Sequence, residues 1–377
     1  MSKVLSIVLI LISCSVYGQL NNSMFEQRNA ISKMDSGALK FNFRMLAFSK
    51  NNEYFNKIAD GYTLFGYQLN PSISYQPTSN TKIDVGLYVQ KDFGNDRYSE
   101  ILPTFSFNYT FGDVKLIVGT LEGSVSHRLI EPFYDFENAL VNRVENGFQF
   151  YVENDWIFFD TWLDWQNMLY VGENDQEELT GGLSMRYVLM DKGLKISIPL
   201  QAVIKHKGGQ IDSNPAPLQT YINSTAGITL EWYRPDNKFL NNLKLDSYYA
   251  QYNDQSGVQL RPFENGSGYY VNAEMRSKKG LEVMLSYWRG HEFLSIEGGK
   301  LYASESSTFK NPFVIEEIRE LLILRIMHNI HIAKNLVISG RFEPYYDLQN
   351  STFEFSHGLY INYNADFYML KNKANKH

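Results

Sequence analysis

The sequence predicts an all-β fold: a transmembrane antiparallel up-and-down β-barrel of about 16 strands, with short periplasmic turns and long extracellular loops. Three observations predict it. Segments of about ten residues or more alternate apolar and polar side chains, the pattern of a strand with two different faces. The connections between them alternate between short and long. Aromatic residues make up 15% of the chain, with 26 Tyr and 25 Phe, which suits strands and the aromatic girdles of membrane barrels.

The bulk numbers narrow the alternatives. A soluble chain of 377 residues would suggest two domains, but large barrels exceed that size as single units. A net charge of −6 leaves no basic footprint for nucleic acid. Past the leader there is no run of 18 apolar residues, which excludes a helical membrane protein but not a barrel. A sandwich or propeller is the soluble rival. Propeller blades repeat in sequence and this chain does not, and a sandwich seldom places its long loops at one end only.

The first residues read as a secretory signal peptide, 1–18. Lys3 supplies the charge, Val4 to Ile12 the apolar core, and Val16-Tyr17-Gly18 the cleavage site. Leu11-Ile12-Ser13-Cys14 offers a rival lipoprotein box. Cleavage after Gly18 removes Cys14, the only cysteine, and with it any disulfide or thiolate metal site. Residues 19–37 are polar and irregular, a periplasmic tail or a plug-like lead-in. The barrel is expected over 38–370, with a tail at 371–377.

The clearest strand is Ile101 to Phe111. Phe105, Phe107, Tyr109 and Phe111 fall on one face; Thr104, Ser106, Asn108 and Thr110 fall on the other. Similar segments lie near 38–48, 63–76, 81–91, 113–120, 146–153, 156–171, 178–190, 193–205, 219–233, 243–253, 267–278, 280–291, 318–333, 335–346 and 353–368. Their length suits a tilted bilayer crossing. Short connections such as Gly112-Asp113, Asn154-Asp155 and Lys279-Gly280 carry tight-turn residues. Long ones fall near 49–62, 92–100, 121–145, 172–177, 206–218, 254–266, 292–317 and 347–352. An even strand number puts both termini at the short-turn rim.

Leader, strand length, loop alternation and a long loop after the fifth strand together resemble the sixteen-strand porins of the Gram-negative outer membrane. The resemblance is architectural and covers roughly residues 38–368. It implies that 121–145, the third long connection, folds into the barrel and narrows it. Two departures stand out. Phe367-Tyr368 is followed by Met369 to His377, where such barrels commonly end on an aromatic residue. Ile318 to Ala333 carries apolar residues on both faces, Leu321 and Ile323 beside Leu322 and Leu324.

The segment 121–145 mixes packing residues with charge. Glu122, His127, Arg128, Glu131, Asp135, Glu137 and Arg143 are its expected constriction residues, selecting solutes by size and charge. An outward loop with solvated charges is the plain alternative. On the wall, strand phase points Lys40, Arg44, Arg319, Arg325, Arg341 and Glu343 into the lumen. The bases would form a sector facing the acidic loop, or simply pair with lumen acids. Asp160 and Asp164 share a face with Trp156, Phe158 and Trp162, a surface suited to sugars or to plain packing.

Enzyme signatures are poor. Ser126 and His127 are adjacent in sequence, which is no evidence of a dyad, and His328 and His331 stand three apart. No catalytic residue, metal ligand set or cofactor is expected. The expected function is a passive channel for small polar or charged solutes; a non-conducting accessory barrel of an uptake, export or assembly complex is the runner-up. Expected partners are outer-membrane lipid and lipopolysaccharide and the solutes; the resemblance also allows a homotrimer.

Overall fold

The computed structural model describes residues 22–209, 211 and 213–371. The expected signal peptide and residues 372–377 of the tail lie outside these. The strands are β1 (Ala38–Glu53), β2 (Thr63–Gln76), β3 (Thr81–Asp92), β4 (Glu100–Phe111), β5 (Val114–Thr120), β6 (Asn146–Glu153), β7 (Ile157–Asn167) and β8 (Glu178–Lys192). They continue with β9 (Leu194–Lys207), β10 (Gln219–Tyr233), β11 (Leu240–Asp254), β12 (Asn265–Ser277), β13 (Leu281–His291), β14 (Ile318–Ala333), β15 (Leu336–Asp347) and β16 (Thr352–Leu370). Each pairs antiparallel with its neighbours in sequence, and β1 pairs with β16, closing a barrel. Closure gives every strand a partner on both sides over at least part of its length, which limits the unpaired backbone that a sheet in lipid exposes.

The alternation behaves as the sequence dictates. On β4, Ile101 and Phe105 are exposed while Thr104, Ser106 and Asn108 are buried. Exposed Phe111, Trp156, Tyr233 and Phe239 lie by the short turns, and Phe65, Tyr98, Tyr269 and Phe353 near the opposite strand ends, where girdles belong.

The lumen is filled rather than open. Three segments enter it: residues 22–37 beside the short-turn rim, 121–145 between β5 and β6, and 292–317 between β13 and β14. Phe25, Leu46, Phe48, Val125, Phe136, Ala139, Leu140 and Tyr360 make one buried cluster among them. Leu129, Ile130, Phe133, Trp162, Tyr248, Tyr270, Trp288, Phe293, Tyr302, Leu321 and Ile323 belong to a larger one. This accounts for the two apolar faces of β14: Leu321, Ile323 and Met327 meet the lumen contents, while Leu322 faces outward.

Candidate functional site

β5 and β6 end early, and both chains then turn into the barrel. Gly119 and Gly147 are register partners at this point. A Cβ on Gly119 would stand 2.2 Å from the Phe105 carbonyl oxygen, and one on Gly147 would stand 2.1 Å from that of Leu163. Gly119 has φ +99°, a conformation that favours glycine. This pair lets two strands leave the wall without opening the flanking ladders.

The inward segment begins with a 3₁₀ turn, Ser124–His127, bounded by the left-handed residues Ser124 (φ 60°) and Arg128 (φ 56°). Backbone of this kind costs of order 1–3 kcal/mol per residue and persists only where surroundings enforce it. The turn delivers His127 to two carboxylates. Its Nδ1 lies 2.9 Å from Asp160 Oδ2 and its Nε2 2.8 Å from Glu145 Oε2. Its ring stacks on Trp162 at 3.6 Å, with an angle of 15° between the planes. The Ser124 N–H donates to Glu145 Oε1 at 2.6 Å, and Gln149 Nε2 donates to Asp160 Oδ1 at 2.9 Å. Asp164 accepts from the Asn146 N–H at 2.7 Å.

Burial works against a charge on His127, but Glu145 and Asp160 outweigh it and push the imidazole up to about 9. His127 is therefore an imidazolium at neutral pH, donating from both nitrogens. Of the three groups only Glu145 keeps appreciable access, with 13% of its side chain exposed against 1% for His127 and 0% for Asp160. Ser126 is buried in the same turn with no hydrogen-bond partner for its hydroxyl among the described residues; its carbonyl accepts from Arg28 at 2.8 Å.

The other expected constriction residues are dispersed through the filled lumen. Glu122 meets Lys115 and the Asn29 N–H. Arg128 reaches Glu153 at 2.8 Å and lies over the Phe158 ring. Glu131 pairs with Arg325 and accepts from the Tyr302 hydroxyl at 2.5 Å. Glu137 receives Lys50 at 2.9 Å and Asn52 at 2.6 Å. Burial and Glu137 push Asp135 up to about 7. Arg143 caps the carbonyls of Ala139 and Phe25.

The wall residues have the expected phase but not the expected arrangement. Lys40 pairs with Asp35 at 2.5 Å. Arg319 is bound by Asp347 and Glu316. Arg341 donates to Asn22 at 2.7 Å and lies over Phe25 and Phe136. Glu343 stands 3.6 Å from Arg325 and accepts from Ser356. Arg44 borders a cavity near the short-turn rim with Arg28, Lys40, Lys82 and Asp366. No continuous basic wall faces an acidic loop across open space. The expected transverse field is replaced by local pairing, because desolvated charges in a packed lumen need immediate partners. Asp160 and Asp164, expected along a sugar path, instead sit at the His127 cluster.

A closed sixteen-strand barrel with lipid-facing apolar strands defines a bacterial outer-membrane protein. Solved structures share that fold. OprD of Pseudomonas aeruginosa is 8% identical, with a TM-score of 0.53 and coverage of 90% of this chain and 98% of its own. A loop L8 deletion mutant of OmpT from Vibrio cholerae is 10% identical, with a TM-score of 0.51, covering 87% and 100%. Pseudomonas aeruginosa OccK2 (OpdF), in complex with glucuronate, is 9% identical, with a TM-score of 0.50, covering 88% and 98%. No curated protein matches the sequence.

The sequence profile of the Lipid A 3'-O-deacylase-type family matches residues 31–372, and the chain belongs to that family. Membership overturns the expectations of a passive channel or accessory barrel and of a chain that is no enzyme. Sixteen strands were read as a pore, but strand number fixes only the width of the ring, not what fills it. Solutes lose their basis as partners, and the homotrimer has no support. No group of three or more His, Cys, Asp or Glu among the described residues is arranged to hold a metal ion.

Proposed function

We propose that this protein hydrolyses an ester-linked acyl chain of lipid A in the outer leaflet of the outer membrane. The observation that carries the reading is the family match over nearly the whole chain. The His127 cluster supplies the chemistry. Ester hydrolysis needs a group to take a proton from the attacking water and to deliver one to the departing sugar oxygen. Glu145 is the accessible carboxylate and takes the first proton. Glu145 then returns that proton to the leaving oxygen, while His127, an imidazolium with both N–H groups engaged, holds the carboxylate in place. Asp160 and Trp162 hold the ring, and Asp160 offsets its buried charge. Water, the ester and the two products balance with no further reactant.

The test is mass spectrometry of lipid A from cells expressing the protein. The parent removes one acyl chain. His127→Ala and Glu145→Gln each lower the rate by about 10²- to 10⁴-fold, while Ser124→Ala and Ser126→Ala keep most of it. Loss of activity in either serine variant, with an acyl-enzyme trapped on that serine in the parent, would replace the attacking water by a serine.

A further inference from the structure

The wall of the barrel is incomplete beside the His127 cluster. β3 and β4 stay paired as far as Gln90 opposite Glu100, and β7 and β8 as far as Asn167 opposite Glu178. β4 pairs with β5 only up to Ser106 opposite Gly119, and β6 with β7 only up to Gly147 opposite Asp164. Residues 100–105 and 165–167 therefore each have one edge with no strand beside it. Two strands are missing from the outer half of the wall. With strands about 4.8 Å apart, the facing edges stand about 14 Å apart.

Pro103 marks this edge as built to be free. Phe105 directs its N–H away from β3, donating to Thr120 Oγ1 at 3.2 Å. Pro103 has the same phase, so its missing N–H falls on the notch side while its pairing with β3 is unbroken. Proline is confined to such edges and to bulges. The strand prolines Pro71, Pro199 and Pro344 lie at or beside interruptions of a ladder.

The floor of the notch is Thr120, whose hydroxyl donates to Asn146 Oδ1 at 3.0 Å. Its surroundings are apolar and exposed: Ile101, Phe105, Phe148 and Trp165. Glu145, the accessible member of the His127 cluster, immediately precedes Asn146, the register partner of Thr120, and its carbonyl accepts from the Leu121 N–H at 3.0 Å. We infer that this notch is the lateral entry by which a hydrocarbon chain of an outer-leaflet lipid brings its ester to Glu145 from the membrane. The inference rests on the deacylase reading. The lipid phase is what surrounds this part of the wall, and a hydrocarbon chain is the occupant that its apolar rim accepts.

Full-length protein is placed in vesicles containing lipid A, with a benzophenone side chain at position 146 or, on the lipid face of β2 at its long-loop end, at position 65. Folding of each variant is checked by heat-modifiable migration. Illumination should attach lipid A at position 146 well in excess of position 65; equal capture overturns the notch. In a second arm, Asn146→Trp should lower the rate on membrane lipid A about tenfold relative to the rate on a water-soluble short-chain ester. An unchanged ratio in a folded variant overturns the inference. If the parent cleaves neither ester, the deacylase reading fails, and the capture at position 146 still decides the notch.

Discussion

His127 is held from both sides, by Asp160 and Glu145, and that fixes how it responds to pH. Its folded value of about 9 lies above the ordinary 6.5. A raised value means that its stabilisation is complete below about pH 6.5 and is lost as pH rises through about 9. Urea unfolding of the protein in detergent should therefore show a falling midpoint across that window, and His127→Gln should flatten it. Removing the ring leaves Asp160 buried without its counter-charge, so His127→Ala should cost about 3–5 kcal/mol by the same measurement. His127 and Asp160 are candidates in the sequence, Glu145 is not among them, and none announces the others. Asp160 was correctly phased into the lumen. The sequence separation of 33 between it and His127 has no local pattern to reveal it, because the contact exists only once the segment folds inward.

Among the elements, strands and inward segments differ in legibility. β10 and β14 have the expected bounds, 219–233 and 318–333, because the two faces of each meet different surroundings over their whole length. The inward segments obey no such period. The glycine pair at 119 and 147 is what turns 121–145 inward. Gly119→Ala would place a methyl against the Phe105 carbonyl in a left-handed conformation, so we expect a loss of about 1–3 kcal/mol, read as a lower urea midpoint. The lead-in, expected as a periplasmic tail or a plug-like segment, docks on the inner segment, with Phe25 packed edge-on to Phe136 and Tyr360 and Arg28 holding the Ser126 carbonyl. Phe25→Ala should loosen 121–145 while the wall persists. Limited proteolysis of the folded protein should then cut within 121–145 and leave the strands intact.

At the scale of the whole molecule, the lumen contents decide the difference between a pore and an enzyme. Two of the internal spaces are a cavity of about 80 Å³ lined by Lys50, Glu131, Glu137 and Arg325, and one of about 210 Å³ lined by Arg44, Lys40 and Lys82. Buried side chains of 22–37, 121–145 and 292–317 fill the lumen between the walls and leave no straight path for solutes among the described residues. Purified protein in planar bilayers should give no steady channel conductance. The arginines expected to set ion preference have no current to act on. Arg325 instead ties Glu131 of the inner segment to the wall, so Arg325→Gln should destabilise the barrel rather than change a reversal potential.

The sequence by itself determined the ring: closure, strand phase, the loop-bearing rim and the membrane it belongs to. These follow from period-two burial and turn chemistry, which are local and repeat sixteen times over. Only the tertiary structure decided what lies inside. The lumen face must be polar against water or mixed against protein, and Leu321, Ile323 and Met327 satisfy the second condition while resembling a third face of lipid contact. The seating of 22–37, 121–145 and 292–317 depends on long-range packing and on charges finding partners across the barrel. That packing gathers His127, Glu145 and Asp160 at a gap in the wall.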